Sequence, residues 1–195
     1  MRLSLSCFVS GRVELNTEIS RVRGVNRRTL LRTVGAGLTA VGAGCLGSGG
    51  EVIVNVQQDV HVDPGEAWME TDIPDLSESG GGIEYIVRSE TPFDVYFFAD
   101  GEAFGRYDAY LKGREPDETP PGHPELSQTA VPKQGSDLYE ATSEGGGNRQ
   151  SIDAAGPYYF AVDHSNYRME TRVEEFDDPL TAFVDLKVIR ERSLI

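Results

Sequence analysis

Cysteine is almost missing from this sequence, and the position of its two copies matters more than their number. Cys7 and Cys45 both lie in the first quarter of the chain, and no residue beyond 45 is a cysteine. The later part therefore forms no disulfide and builds no Cys-rich zinc site, and a blue-copper centre, which needs a Cys beside two His, is excluded. A long hydrophobic run is missing too. The apolar stretch from Thr33 to Gly44 offers about a dozen uncharged residues, where a bilayer span takes ~20. Gly35, Gly37, Gly42 and Gly44 interrupt it, each costing a helix ~1 kcal/mol against alanine, so it suits neither a durable membrane helix nor a core helix. Positive charge is the third scarcity. The chain carries −14 overall, yet residues 1–44 hold seven Arg against two Glu, which leaves 11 basic and 30 acidic residues after Gly44, a net charge near −19. Nucleic acid and anionic membrane surfaces are thereby excluded as electrostatic partners.

What is present begins at "NRRTLLRTVGAGLTAVGAGCLGSGG", residues 26–50. A basic start, a short apolar middle and small residues before a processing point are the three parts of an export signal. Asn26-Arg27-Arg28-Thr29-Leu30-Leu31-Arg32 resembles the twin-arginine consensus, which is read by the translocase that exports folded proteins. Ala43-Gly44-Cys45 resembles the end of a lipobox, with Gly42 where that family carries a bulky apolar residue. The resemblance implies an export signal read at Arg27 and Arg28, lipidation of Cys45, and a membrane held as partner through that lipid. Translocase and signal-processing machinery are then partners during export.

The chain thus divides into a leader or long n-region at 1–24, a signal at 25–44, a lipidated Cys and Gly/Ser spacer at 45–50, and one domain at 51–195. An upstream start site explains 1–24, which has no sustained periodicity. The acid excess adds to the picture. At ~1 M salt the Debye length falls to ~3 Å and like-charge repulsion largely disappears, so acidity of this degree is the pattern of salt-adapted proteins. Export signal, lipobox and acidity together resemble a halophilic archaeal lipoprotein, which implies an extracytoplasmic, cell-surface location.

Beyond the spacer the apolar period is two. In "VIVNVQQDVHVD" Val52, Val54, Val56, Val60 and Val62 share one face against Asn55, Gln57, Asp59, His61 and Asp63, and Pro64-Gly65 ends the strand. Further strands are expected at 67–73, 82–89, 93–100, 157–165 and 181–189, with weaker candidates at 138–142 and 149–152. Seven to eight short antiparallel strands separated by Gly, Pro, Asp and Asn imply an all-β fold, a β-sandwich or jelly roll. One short helix or turn is expected over 104–112, with Tyr107 and Tyr110 or Leu111 on one side. Residues 112–137 read as an insertion, rich in proline and poor in large apolar side chains, hence peripheral and dispensable to the core. The order "VDPGEAW", "IEYIVRSETPFDVYFFADGEAFGRYDAY" and "AAGPYYFAVDHSNY" is similar to GOLD-type β-sandwich domains and related extracellular prokaryotic domains, and implies an interaction or accessory domain without known chemistry.

Asp163, His164 and Ser165 carry the letters of a hydrolase triad, but neighbouring strand residues alternate faces and do not converge. Gly-x-Ser-x-Gly is missing as well. His61 and Asp63 share a strand face and with His123 or His164 offer metal-ligand chemistry; exposed polar strand residues are the simpler reading. "EEFDDP", 174–179, lacks the glycine-punctuated spacing of calcium loops. No catalytic, metal or cofactor site is therefore assigned. Trp68, Tyr159 and His164 are the candidate binding surface, for a surface protein or a small ligand. The function expected is a non-catalytic binding or structural module; the alternative is an extracytoplasmic hydrolase or metal-dependent enzyme with its site in 99–137.

Overall fold

A computed structural model of the protein describes residues 50–76, 78–169 and 171–191, all within the unit Cys45–Ile195. Cys45, Arg27, Arg28 and the segments 1–24 and 25–44 lie outside the described residues. The fold is an all-β sandwich of two antiparallel sheets. Ten strands form it: β1 Gly50–Val62, β2 Glu66–Ile73, β3 Gly81–Ser89, β4 Asp94–Phe98, β5 Gln128–Thr129, β6 Val131–Pro132, β7 Tyr139–Thr142, β8 Gln150–Ser151, β9 Tyr158–His164 and β10 Leu180–Glu191. The larger sheet has the order β1-β10-β3-β7-β6, with β8 also paired to β3; the smaller has the order β2-β9-β4-β5. All eight stretches expected from alternating or apolar runs form strands, and β5 and β6 are the two that no such run marked.

Pattern and pleat agree along β10. Leu180, Ala182, Val184, Leu186 and Val188 are buried, while the intervening side chains are half-buried or exposed, which places a carpet of branched residues on the inner face. Against them β9 and β4 of the other sheet send in Tyr158, Phe160, Val162, Val95 and Phe97, with Phe93 just before β4. The Tyr85 and Phe160 rings meet edge-on at 5.2 Å between the sheets. The turn that carries the chain from one sheet to the other is built as its sequence demands. Pro64 precedes Gly65 at φ 83°, and Glu66 N–H donates to the Asp63 carbonyl at 3.0 Å, the arrangement of a type II turn. The first strand departs from strict alternation. A bulge between Val52 and Val54 inserts Ile53 into the ladder with β10, so Ile53 packs on the core and Val52 is left half exposed.

The smaller sheet is apolar on both faces, because a helix covers its outer side. Asp100 starts α1 (Gly101–Leu111) by accepting from Glu102 N–H at 2.9 Å. The helix begins three residues before the sequence-based bound and lays Phe104, Tyr107, Tyr110 and Leu111 over β4 and β9. There a second core forms from Tyr96, Phe98, Tyr107, Ala161 and Tyr167. This second layer explains why "DVYFF" carries large apolar residues without alternation.

The segment 112–137 corrects the expectation of a peripheral insertion. Leu126 is fully buried in the main core and Ala130 nearly so. Tyr85 Oη donates to the Leu126 carbonyl at 3.0 Å, His123 N–H donates to the Phe97 carbonyl at 2.6 Å, and Phe97 N–H is capped by Ser127 Oγ at 2.9 Å. The prolines route the chain across the outside of the smaller sheet, and the residues after them close its edge through β5 on β4. Two further one-turn helices, α2 (Glu144–Gly147) and α3 (Arg172–Glu175), lie in connections.

Candidate functional site

The chemistry-bearing residues that the fold gathers lie on the outer face of the smaller sheet, beside α1. Asp94 of β4 and Asp163 of β9 are directly opposite in the ladder and therefore share a face. Both are buried, and so is Arg172 at the start of α3. Arg172 Nη2 sits 2.8 Å from Asp94 Oδ2. The angles of this contact fall outside hydrogen-bond geometry, so neither Asp94 oxygen has an aligned donor, and the interaction is one of charge. Asp163 is better supplied. Its carboxylate accepts from Tyr107 Oη at 2.7 Å, from Ser165 N–H at 3.0 Å and from Ser165 Oγ at 2.9 Å.

Burial pushes the Asp163 carboxyl up to about 6, with the neighbouring Asp94 charge adding to the rise and the Tyr107 and Ser165 hydrogen bonds opposing it. Burial raises the Tyr107 phenol well above its ordinary value as well. His164 points the other way. Its Nε2 lies 3.0 Å from the Asp178 carbonyl, and burial lowers its pKa, with Arg172 contributing.

The fold thus brings Asp163 and Ser165 together and sends His164 to the opposite face, as strand alternation requires. Ser165 Oγ is held by the carboxylate and also accepts from Tyr167 N–H at 3.2 Å. It is 1 % exposed, so this hydroxyl is bound into a turn and presents no free nucleophile. What the cluster does is fasten the connection 165–179 to the sheet. Asn166 continues the fastening, donating to the Glu174 carboxylate at 3.1 Å and accepting from Val173 N–H at 2.8 Å. Above it a cleft of about 430 Å³ opens between Tyr110, Leu111, Arg114, Ser165 and Asn166.

Trp68, Tyr159 and His164 do not form one surface, which corrects the expected grouping. Trp68 is opposite Val162 and packs toward the main core, edge-on to Phe160 at 6.5 Å. Tyr159 faces outward and stacks on Phe104 of α1 at 3.8 Å. His164 is fully buried. The physical reason is again the pleat, since residues 159 and 164 are of opposite parity on one strand. His61 is exposed against Thr181 Oγ1 at 3.2 Å, and His123 sits edge-on to Phe97 at 6.2 Å in the smaller sheet. Among the described residues no three His, Cys, Asp or Glu come together as a metal-ligand set. Sequence reading missed Asp94 and Arg172. The signal was an acid inside the apolar run "FDVYFF" and a lone arginine in the acidic stretch 170–178.

The buried acid predicts an unusual pH response. Asp163 has a folded value near 6, above the ~3.9 of a free aspartate, so the native state binds more protons between the two. Its contribution to stability therefore grows as pH falls from about 7 to 4, by up to ~3 kcal/mol. His164, with its value lowered, works in the opposite sense, contributing stability above the ~6.5 of free histidine that is lost as pH falls. Asp163→Asn removes the charged-state penalty. Its stability advantage over the parent protein at pH 7.5, measured by urea unfolding, should shrink steadily to pH 4.5. An advantage that does not vary with pH would show that burial leaves the folded value of Asp163 at that of a free aspartate.

Compared with protein-family models, curated proteins and solved structures, the chain matches none.

Proposed function

We propose that this chain is a twin-arginine-exported lipoprotein of a halophile, held to the cell surface through a lipid on Cys45. There its sandwich, GOLD-like in kind, serves as a non-catalytic binding or structural module. The observation that carries the reading is the sorting of charge on the folded surface. Among the described residues 22 exposed side chains are Asp or Glu and only three, Lys112, Arg114 and Arg168, are Lys or Arg. Most other basic groups are half-buried and spent on acids, as Arg88 and Lys133 are on Glu140, and Arg149 on Glu191. The face offered to solvent is thus almost wholly anionic, which favours solubility in brine and opposes compaction in dilute buffer.

The anchor is tested by Cys45→Ser. Two acyl chains hold a protein to a membrane far more stably than one, so the variant should leave the membrane fraction and accumulate in the medium. Retention at the parental level would overturn the lipid anchor. The charge reading has its own measurement. Molar KCl screens repulsion between exposed carboxylates and strengthens apolar burial, so cooperative melting with β-type circular dichroism should be strongest there and weaken on dialysis to dilute buffer. A melting temperature independent of salt would count against halophilic adaptation.

A further inference from the structure

The outer face of the larger sheet carries a row that neither the buried cluster nor the core explains. Asp59 of β1, Phe183 of β10, Arg88 of β3 and Glu140 of β7 stand directly opposite one another across four strands, so their side chains lie side by side on one face. Phe183 is half-buried on this solvent side, between a carboxylate and a guanidinium. Arg88 Nε donates to Glu140 Oε2, an oxygen that Lys133 Nζ shares, and the terminal nitrogens of the guanidinium have no other protein partner among the described residues. Beside the row opens a cleft of about 610 Å³, lined by Phe183, Asp59, Arg88, Glu90, Thr91 and Thr181.

We infer that this cleft is a carbohydrate-binding site, with the Phe183 ring as platform for one face of a neutral pyranose and Arg88, Asp59, Glu90 and Thr181 as its hydroxyl partners. The inference rests on the reading of the domain as a binding module and names its ligand class. The lining selects for it. A phenyl ring asks for an apolar face; guanidinium donors, carboxylate acceptors and threonine hydroxyls ask for a ligand rich in groups that both donate and accept. An anionic ligand is disfavoured, since the three carboxylates of Asp59, Glu90 and Glu140 outnumber the cations Arg88 and Lys133. Recognition of a free cation by exposed carboxylates is weakened by screening in brine, whereas ring stacking and hydrogen bonds between neutral partners and charged groups at contact distance survive it.

The test is calorimetric titration of the full-length chain in molar KCl with neutral gluco-, manno- and galacto-configured trisaccharides and with a matching oligouronate. At least one neutral trisaccharide should bind saturably and the uronate should not. Phe183→Ala should weaken binding about tenfold. Asp59→Asn, at an exposed position where folding is insensitive, should weaken it several-fold, while Lys112→Ala, at an exposed position beside the other sheet, should leave it unchanged. The inference is overturned if no neutral trisaccharide binds, if the uronate binds best, or if neither Phe183→Ala nor Asp59→Asn alters the affinity. Membrane retention of the parent chain and release of Cys45→Ser are scored separately, so an anchored protein that ignores sugars refutes this site and leaves the anchor standing.

Discussion

Arg172→Met is expected to lower folding stability by about 3–5 kcal/mol, because it removes the counter-charge of a carboxylate that cannot reach water. Asp94 is 2 % exposed and Arg172 4 % exposed. Without the guanidinium, the Asp94 carboxylate would face Asp163 directly across the β4–β9 ladder, two buried acids with no cation between them. The fold has two escapes, protonating Asp94 or releasing the connection 165–179, and both cost stability at neutral pH. The pair itself is not a large source of net stabilisation, since desolvation offsets most of its attraction. Asp94→Asn combined with Arg172→Met should therefore recover much of the loss. Urea unfolding of the two single variants and the double variant in molar KCl gives the coupling directly. A loss below about 1 kcal/mol for Arg172→Met, the range of exposed ion pairs, would mean that solvent reaches Asp94 and that the cluster does not fasten the connection.

Replacing residues 113–136 by a Gly-Ser linker of equal length should abolish cooperative unfolding. Loop closure is not the reason, since its entropy changes by only ~0.6 kcal/mol for each doubling of length. The loss lies in what the segment inserts. Leu126 is fully buried, and truncating such a leucine to alanine alone costs about 2–5 kcal/mol. The linker also removes the Ser127 cap from Phe97 N–H, and its flexible backbone no longer holds a carbonyl against Tyr85 Oη or a strand against the edge of β4, each lost hydrogen bond bringing a further ~1 kcal/mol. Against a total stability of about 5–15 kcal/mol, that sum leaves little. A linker confined to 113–118 should by contrast fold, since it forfeits only exposed contacts such as Arg106 with Glu118. Cooperative melting of the 113–136 replacement near the parental temperature would show that β4 and Tyr85 find other partners.

Alternating or continuous apolar runs in the sequence were enough to place eight of the strands and the turn at Asp63–Glu66, because a half-covered sheet face obliges residues of one parity to be apolar and a strand covered on both faces is apolar throughout. The helix was legible only as a short helix or turn over 104–112, from Tyr107 and Tyr110 or Leu111 on one side, and its first turn from Gly101 was not. Composition alone set the acidity of the surface and ruled out a disulfide beyond Cys45. Only the tertiary structure decided the rest. β5 and β6 are two residues long, too short for any period to register, and β5 pairs with β4, a strand remote in sequence. Leu126 is one apolar residue in a polar, proline-rich stretch, and nothing local distinguishes it from an exposed one. Asp94, Asp163 and Arg172 become a cluster because the β4–β9 register puts the two acids opposite each other and the chain from Ser165 returns to lay a guanidinium beside them. Such burial is a property of three segments at once. Sequence periodicity reports which way a side chain points from its own strand, whereas charge pairing across a face depends on which strand lies next to it, and that choice is made by the packing of the whole sandwich.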